Sequence, residues 1–201
     1  FSIYQALPAQ RDNRRLDGIR TWFIASSVFN IVWLFLWHYD WIPLSLLAMF
    51  GLLVSLIVIY LRLVPGRREA GLAERVFVDL PFSVYLGWIS VATIANFSIV
   101  LYSLGWNGWG LSPVTWTIIM LVVGTVLGGA MLFRNDDVAY TLVLVWAFAG
   151  ITVRQMENSP TVGTAAAVMA GVLLLLILAY YLRRTLTPSA SNSFRDRRSE
   201  A

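Results

Sequence analysis

The chain has 201 residues, of which 58% are hydrophobic and only 13% are charged, and its formal net charge is +4. This composition is typical of a protein with several membrane helices and excludes an ordinary soluble domain. The sequence contains no cysteine, which excludes disulfides, thiolate metal sites and cysteine nucleophiles.

Six segments approach the about 20 apolar residues that a helix needs to cross a bilayer core. Their unbroken hydrophobicity differs from the alternating pattern of outer-membrane barrel strands. We therefore predict an all-α fold, a polytopic transmembrane bundle of six helices, because helices satisfy their own backbone groups in lipid. The predicted spans are residues 21–38, 42–61, 80–103, 113–133, 137–153 and 161–182.

The two ends of the chain differ from these spans. Residues 1–20 open with FSIYQALPAQ, a stretch typical of the end of an apolar helix that runs into a cytoplasmic loop. We expect one or two further membrane helices upstream, because the stretch lacks the pattern of a signal peptide. Residues 187–201 are polar and aperiodic, which predicts a disordered cytoplasmic tail.

Arginine placement orients the predicted spans. All fifteen basic residues are arginines, and with six spans fourteen of them fall on one side, leaving only Arg154 on the other. The positive-inside bias makes the arginine side cytoplasmic, and the C-terminus with it. Topology thus explains the net charge, so we expect no nucleic acid partner.

We expect the charged and helix-capping residues to have structural rather than functional roles. Capping side chains precede a proline at four predicted helix starts, namely Asp40, Asp79, Ser112 and Ser159, and suit the first helical turn. We interpret Asp136 and Asp137 as a solvated turn, and His38 as an interfacial residue rather than a haem ligand. No ionisable side chain lies in the middle of a span, which argues against an ion or proton pathway.

Small residues four apart mark two later spans. Gly124 and Gly128 form one pair, and Gly163, Ala167 and Gly171 form a second stripe. Small residues let membrane helices approach closely. Packing within one chain is the favoured interpretation, and a homodimer interface is the alternative.

The third span carries polar and aromatic residues on a single helical face. Tyr85, Trp88, Ala92 and Asn96 are spaced three, four and four residues apart, so they share that face. An asparagine amide lacks partners in hydrocarbon. We therefore expect this face to look into protein or a cavity.

The first span repeats the arrangement with Asn30, Trp33 and Trp37. Two such faces could wall a pocket in which the indoles stack on a flat apolar ligand and Asn30 and Asn96 hold its polar edge. The alternative is that the asparagines bond to neighbouring helices and the tryptophans fill space. Trp146 in the fifth span is a further candidate for this pocket, although its apolar neighbours favour ordinary packing. No catalytic set and no metal cluster is evident, so binding is expected rather than catalysis.

These motifs resemble the tryptophan-rich sensory protein family, the TspO or translocator-protein group. FNIVWLFLW matches that family's third-helix pattern at Asn30 and Trp33, and WISVATIAN matches its last-helix pattern at Trp88, Ala92 and Asn96. The motifs cover residues 15–103. The resemblance implies a TspO-like core at 21–104, followed by additional transmembrane helices at 105–186 as in a longer bacterial branch.

The resemblance also implies a function. Its members are dimeric helical bundles that bind tetrapyrroles such as protoporphyrin IX, and sterol-like lipids. We therefore expect a membrane sensor or regulator in a bacterial cytoplasmic membrane, with a porphyrin or haem-like ligand and no obligatory cofactor. A non-catalytic accessory subunit of a larger membrane complex, and a transporter of small solutes or lipids, are the alternatives.

Overall fold

Six long helices make up the bundle in a computed structural model that describes residues 1–67 and 69–186. They are labelled α1 (Arg14–His38), α2 (Ile42–Leu63), α3 (Leu80–Ser103), α4 (Pro113–Asn135), α5 (Val138–Asn158) and α6 (Pro160–Leu186). Each is long and apolar enough to cross a membrane, and the predicted all-α bundle of six spans is confirmed. The predicted tail at 187–201 lies outside the described residues, as does Arg68.

Helix α1 begins seven residues before the predicted span. The early start comes from Asn13, whose side-chain oxygen accepts hydrogen bonds from the backbone N–H groups of Arg15 and Leu16. Such a cap satisfies donors that the first turn leaves without partners. The first turns of α1 are polar, so hydrophobicity alone did not reveal them.

The helices pack in a defined order around a shared core. Helix α1 lies against α2, α2 against α3, and α3 against α5, while α4, α5 and α6 contact one another. Helix α2 is the central one, because 44% of its most apolar 18-residue segment is buried, whereas only 11% of the corresponding segment of α1 is buried. Buried side chains such as Leu52, Leu56 and Ile59 on α2 and Leu144 on α5 form the core.

One end of the bundle collects most of the arginines. The starts of α1, α3 and α5 and the ends of α2, α4 and α6 meet there, and we call it the arginine-rich face. Two short helical turns, Ser2–Gln5 and Pro8–Gln10, precede α1 at this end. The ring of Phe1 contacts Phe23 of α1 and Phe82 of α3 with centroids 4.8 Å apart in each case, so the first residues fill the space between these two helices.

A π-helical turn, Arg75–Asp79, leads into α3. Pro81 lies just after it and has no N–H to complete the backbone ladder, which accounts for the irregular turn. Prolines and π turns are established causes of local distortion in helices.

Helix capping differs from the sequence prediction at two of the four starts. Ser112 is confirmed, since its hydroxyl accepts from the N–H of Thr115 at 3.1 Å. The interpretation of Asp79 is wrong: it makes no capping bond and forms an ion pair instead. Asp40 is also not the cap of α2, because Trp41 occupies that position and Asp40 adopts a left-handed conformation with φ 57°.

Small residues mostly serve packing within the chain. Gly124 and Gly128 are covered by Phe148, Leu144 and Leu173, and Gly163 lies against the backbone of Met156. The intrachain interpretation is confirmed for these three glycines. Ala167 is exposed and Gly171 has open space beside it, so a homodimer seam along this part of α6 stays a prediction.

Candidate functional site

Asn96 lies on the inner side of α3 and is only 3% exposed. The hydroxyl of Ser45 on α2 donates to the carbonyl of Ile42 at 2.7 Å and lies 3.3 Å from Oδ1 of Asn96, a long contact for a proton that is already shared. The Nδ2 group of Asn96 is buried and has no hydrogen-bond partner. Nearly all buried polar atoms are paired in native proteins, so this amide presents two donors that require an explanation.

Trp33 on α1 presents a second buried donor. Its indole packs partly against the core and stacks on Trp37, with ring centroids 5.9 Å apart and an interplanar angle of 28°. The Nε1 atom of Trp33 is also buried without a partner. An indole N–H that leaves water usually finds an acceptor.

These two donors lie at similar depth, near the face opposite the arginines. Trp33 is five residues before the end of α1, Ser45 is three residues after the start of α2, and Asn96 is seven residues before the end of α3. At 1.5 Å per residue all three lie within about 11 Å of their helix ends. Helices α1 and α3, which both pack on α2, therefore each carry an unsatisfied N–H at this depth.

Contacts between α1 and α3 are concentrated at the other end. Arg15 pairs with Asp79 there, and Phe23 lies 6.1 Å from Phe82 between ring centroids. Toward the opposite face α1 is largely exposed, with Trp33, Leu36 and Trp37 as its half-buried residues. These contacts join the two helices at the arginine-rich face.

The other predicted site residues do not all join this arrangement. Tyr85 and Ala92 are half-buried on α3, with Ala92 one turn below Asn96. Trp88 is 44% exposed and packs on Trp146 of α5, with centroids 5.2 Å apart. Trp88 therefore faces a different neighbour from Asn96, and Trp146 is an exposed partner in a ring pair rather than core packing.

Asn30 departs most from the prediction. The expectation that it faces an interior is not met, because its side chain is exposed about two thirds of the way along α1. Helix α1 contacts the bundle mainly through α2, so only part of its circumference can be covered.

A buried polar network at the arginine-rich face was missed by sequence reasoning. Asp137 is 3% exposed, and its Oδ2 accepts from the hydroxyls of Tyr60 at 2.8 Å and Ser83 at 2.7 Å and from Arg67 at 3.0 Å. Its Oδ1 caps α5 by accepting from the N–H of Tyr140 at 3.0 Å. The interpretation of Asp137 as a solvated turn residue is therefore wrong.

The attraction between the Arg67 guanidinium and the Asp137 carboxylate stabilises this buried network. Burial lowers the pKa of Arg67, but the carboxylate of Asp137 outweighs that effect and holds the pKa above its usual value. Arg67 also donates to the hydroxyl of Ser83. Helices α2, α3 and α5 are thus tied together by one charged pair, whose partners are 70 positions apart in sequence.

A second ion cluster joins α1 to the start of α3. Arg15 donates to Asp79 at 2.6 Å, to Glu74 at 3.2 Å and to the carbonyl of Leu63 at 2.9 Å. Within residues 1–67 and 69–186, no group of three His, Asp or Glu side chains could hold a metal ion. His38 is exposed at the end of α1, its ring 5.2 Å from that of Tyr39.

Comparison with known proteins identifies one family. A family model described as TSPO-like protein matches residues 1–179. This match is wider than the range 15–103 that the sequence motifs cover, and it includes α4, α5 and most of α6. No curated protein and no solved structure matches the chain.

Proposed function

The chain belongs to the TSPO-like protein family, and on this premise we propose that it is a membrane sensor or regulator that binds a flat apolar ligand, a tetrapyrrole such as protoporphyrin IX, between α1 and α3. Six apolar helices and the family make it an integral membrane protein. The ligand is our proposal.

The buried N–H groups of Trp33 and Asn96, which have no partner, carry this proposal. An unsatisfied buried N–H costs about 1–3 kcal/mol, and the Nε1 of Trp33 and the Nδ2 of Asn96 are both in this condition. A ligand with acceptor atoms at its edge, such as the carboxylates of a porphyrin, would satisfy them. The stacked indoles of Trp33 and Trp37 offer a flat apolar surface of the kind that binds aromatic rings.

The proposed binding region is narrower than the one expected from sequence. It comprises Trp33 and Trp37 on α1 and Ala92 and Asn96 on α3, with Tyr85 further along the same side of α3. Trp88 is excluded because it packs on Trp146, and Asn30 is excluded because its side chain is exposed.

A titration with protoporphyrin IX tests the proposal. The full-length protein in lipid nanodiscs is titrated while porphyrin absorbance and tryptophan quenching are recorded. We expect saturable binding that weakens about five- to tenfold in Trp33→Phe and in Asn96→Leu, since a hydrogen bond contributes about 1 kcal/mol. Trp146→Phe is the matched control and should bind like the wild type. No saturable binding, or equal affinity in all three variants, overturns the proposal.

An accessory subunit of a larger membrane complex is the second candidate. The observation that favours it is the exposed amide of Asn30, about two thirds of the way along α1, the least covered span, because a polar group facing lipid is costly. A partner subunit on α1 would cover it. Asn30→Trp should then release the chain from a stable complex in mild detergent, whereas Leu175→Trp on exposed α6 should not. If the native protein in mild detergent migrates as this chain alone, without a partner subunit, the accessory-subunit candidate is rejected.

We further propose that the protein resides in a bacterial cytoplasmic membrane with the arginine-rich face in the cytoplasm. The arginine distribution supports this orientation, because ten of the eleven arginines in residues 1–67 and 69–186 lie at that end of the bundle.

A further inference from the structure

A cavity of about 1200 Å³ opens at the arginine-rich face. It lies where the ends of α4 and α6 meet the starts of α3 and α5. Neither Trp33 nor Asn96 borders it, so it is separate from the proposed porphyrin site.

The charge of the cavity is positive. Two of its aspartates are already compensated, because Asp137 pairs with Arg67 and Asp79 pairs with Arg15. The lining as a whole carries five arginines against three aspartates, namely Arg67, Arg75, Arg134, Arg183 and Arg184 against Asp79, Asp136 and Asp137. The excess of positive charge favours an anionic occupant.

A hydrogen-bonded tyrosine positions one of these arginines. The hydroxyl of Tyr180 donates to Asp136 at 3.1 Å and accepts from Nη1 of Arg184 at 3.1 Å. Tyr180 itself is only 9% exposed, so it forms a fixed support. A guanidinium has five N–H donors in a planar fork that suits phosphate, and this contact to Tyr180 uses one of them.

An apolar groove continues from the cavity into the membrane-spanning part of the bundle. Leu80 of α3 and Ala139 of α5 line both spaces. The groove has a volume of about 410 Å³ and runs along α3 and α5 past Val84, Leu142 and Val143 to Trp146. Ala139 and Trp146 are seven residues apart, so the groove extends about 10 Å along the helix.

We propose that this cavity and groove together form a binding site for an anionic phospholipid. The phosphate headgroup lies among the arginines, with Arg184 and Arg134 as its main contacts. One acyl chain lies in the groove and ends against the ring pair of Trp146 and Trp88, whose exposure the porphyrin proposal leaves unexplained. The site goes beyond the proposed function and does not depend on it.

The connection between the charged cavity and the apolar groove favours a lipid over a soluble anion as the ligand. A free phosphate needs only the charged cavity, whereas the shared lining at Leu80 and Ala139 connects that cavity to an apolar groove. Basic pockets between membrane helices near the headgroup level are the kind of site that anionic lipids occupy.

Native mass spectrometry of the full chain tests the headgroup contacts. The protein in detergent is titrated with phosphatidylglycerol and, separately, with phosphatidylcholine of identical acyl chains. We expect tighter retention of phosphatidylglycerol, and a loss of about fivefold in Arg184→Gln and in Arg134→Gln, since an arginine near an anionic lipid contributes roughly that factor. Arg11→Gln, an exposed arginine on the same face outside the cavity, is the control and should retain the preference.

A groove variant separates a lipid from a soluble anion. The Ala139→Leu variant fills the place where the cavity meets the groove. It should weaken the binding of phosphatidylglycerol and leave the binding of soluble glycerol phosphate unchanged. The control variant Ala167→Leu, at an exposed position of α6, should change the binding of neither. Equal retention of the two lipids overturns the proposal, as does an Arg11→Gln loss as large as that of the cavity variants. Glycerol phosphate binding as tightly as the lipid, with no effect of Ala139→Leu, assigns the cavity to a soluble anion and also overturns it.

Fluorescence quenching locates the acyl chain. Phosphatidylglycerol with brominated chains should quench tryptophan emission more than brominated phosphatidylcholine does, and this difference should disappear in the Trp88→Phe/Trp146→Phe double variant. The same difference persisting in that variant contradicts a chain in the groove.

Discussion

The guanidinium of Arg67 donates to Oδ2 of Asp137 across 3.0 Å, and the carboxylate side chain is only 2% exposed. Arg67 belongs to the connection after α2, whereas Asp137 caps the start of α5. This pair joins segments on either side of α3 and α4, and the hydroxyls of Tyr60 and Ser83 complete the coordination of the carboxylate.

Removal of the carboxylate should destabilise the bundle. Asp137→Ala leaves the guanidinium of Arg67 without its counter-charge, and breaking a buried pair in this way costs about 3–5 kcal/mol. Thermal unfolding in detergent, followed by circular dichroism, should show a lowered Tm. Asp17→Ala removes an exposed pair with Arg20 and should change Tm little, because surface ion pairs contribute about 0–1 kcal/mol. Similar Tm values for the two variants contradict a stabilising role for the Arg67–Asp137 pair.

Asn96→Leu is expected to stabilise the protein without ligand. The change removes a buried amide that has no partner, worth about 1–3 kcal/mol, and loses only the 3.3 Å contact with Ser45, worth about 0.6 kcal/mol. The Tm should therefore rise, while the porphyrin affinity falls. Ser45→Ala leaves Asn96 with no partner at all and should lower Tm. If Asn96→Leu also lowers it, the amide has a partner in the ligand-free protein.

Two glycines on α6 should respond in opposite ways to alanine. A Cβ at Gly163 meets the backbone nitrogen of Met156 at 2.9 Å, whereas a Cβ at Gly171 has nothing within 4 Å. Gly163→Ala should cost about 1–3 kcal/mol through overpacking. Gly171→Ala should be neutral or stabilising, because alanine favours a helix by roughly 0.5–1 kcal/mol over glycine. Chemical denaturation of both variants compares the free energies of unfolding, and equal losses rule out the close contact at Gly163.

Cysteine labelling tests the orientation, and the cysteine-free sequence provides a clean background. Single variants Leu104→Cys and Glu157→Cys lie at the face opposite the arginines, and Asp12→Cys lies at the arginine-rich face; all three residues are exposed. A membrane-impermeant maleimide should label the first two in intact cells and Asp12→Cys only after permeabilisation. Labelling of Glu157→Cys and Asp12→Cys from the same side contradicts the six-span topology.

The sequence predicted which residues share one face of a helix better than it predicted whether that face is buried or exposed. Spacing correctly grouped Trp33 with Trp37, which stack in the structure. It could not show that Asn30 on the same helix is exposed while Asn96 on α3 is buried. Helical periodicity relates residues to one another around an axis, but the direction in which the face points depends on which helix packs there.

The sequence by itself determined the six spans and the end of the bundle where the arginines collect. Both follow from local composition, since an apolar segment must satisfy its own backbone in lipid and charged groups must stay at the surface. Only the tertiary structure decided the burial of Asp137, the unsatisfied donors of Trp33 and Asn96, and the joining of the arginine cavity to the groove at Leu80 and Ala139. These features depend on how α1 packs on α2 and how α3 packs between α2 and α5, and such long-range contacts leave no periodic signal in the residues that make them.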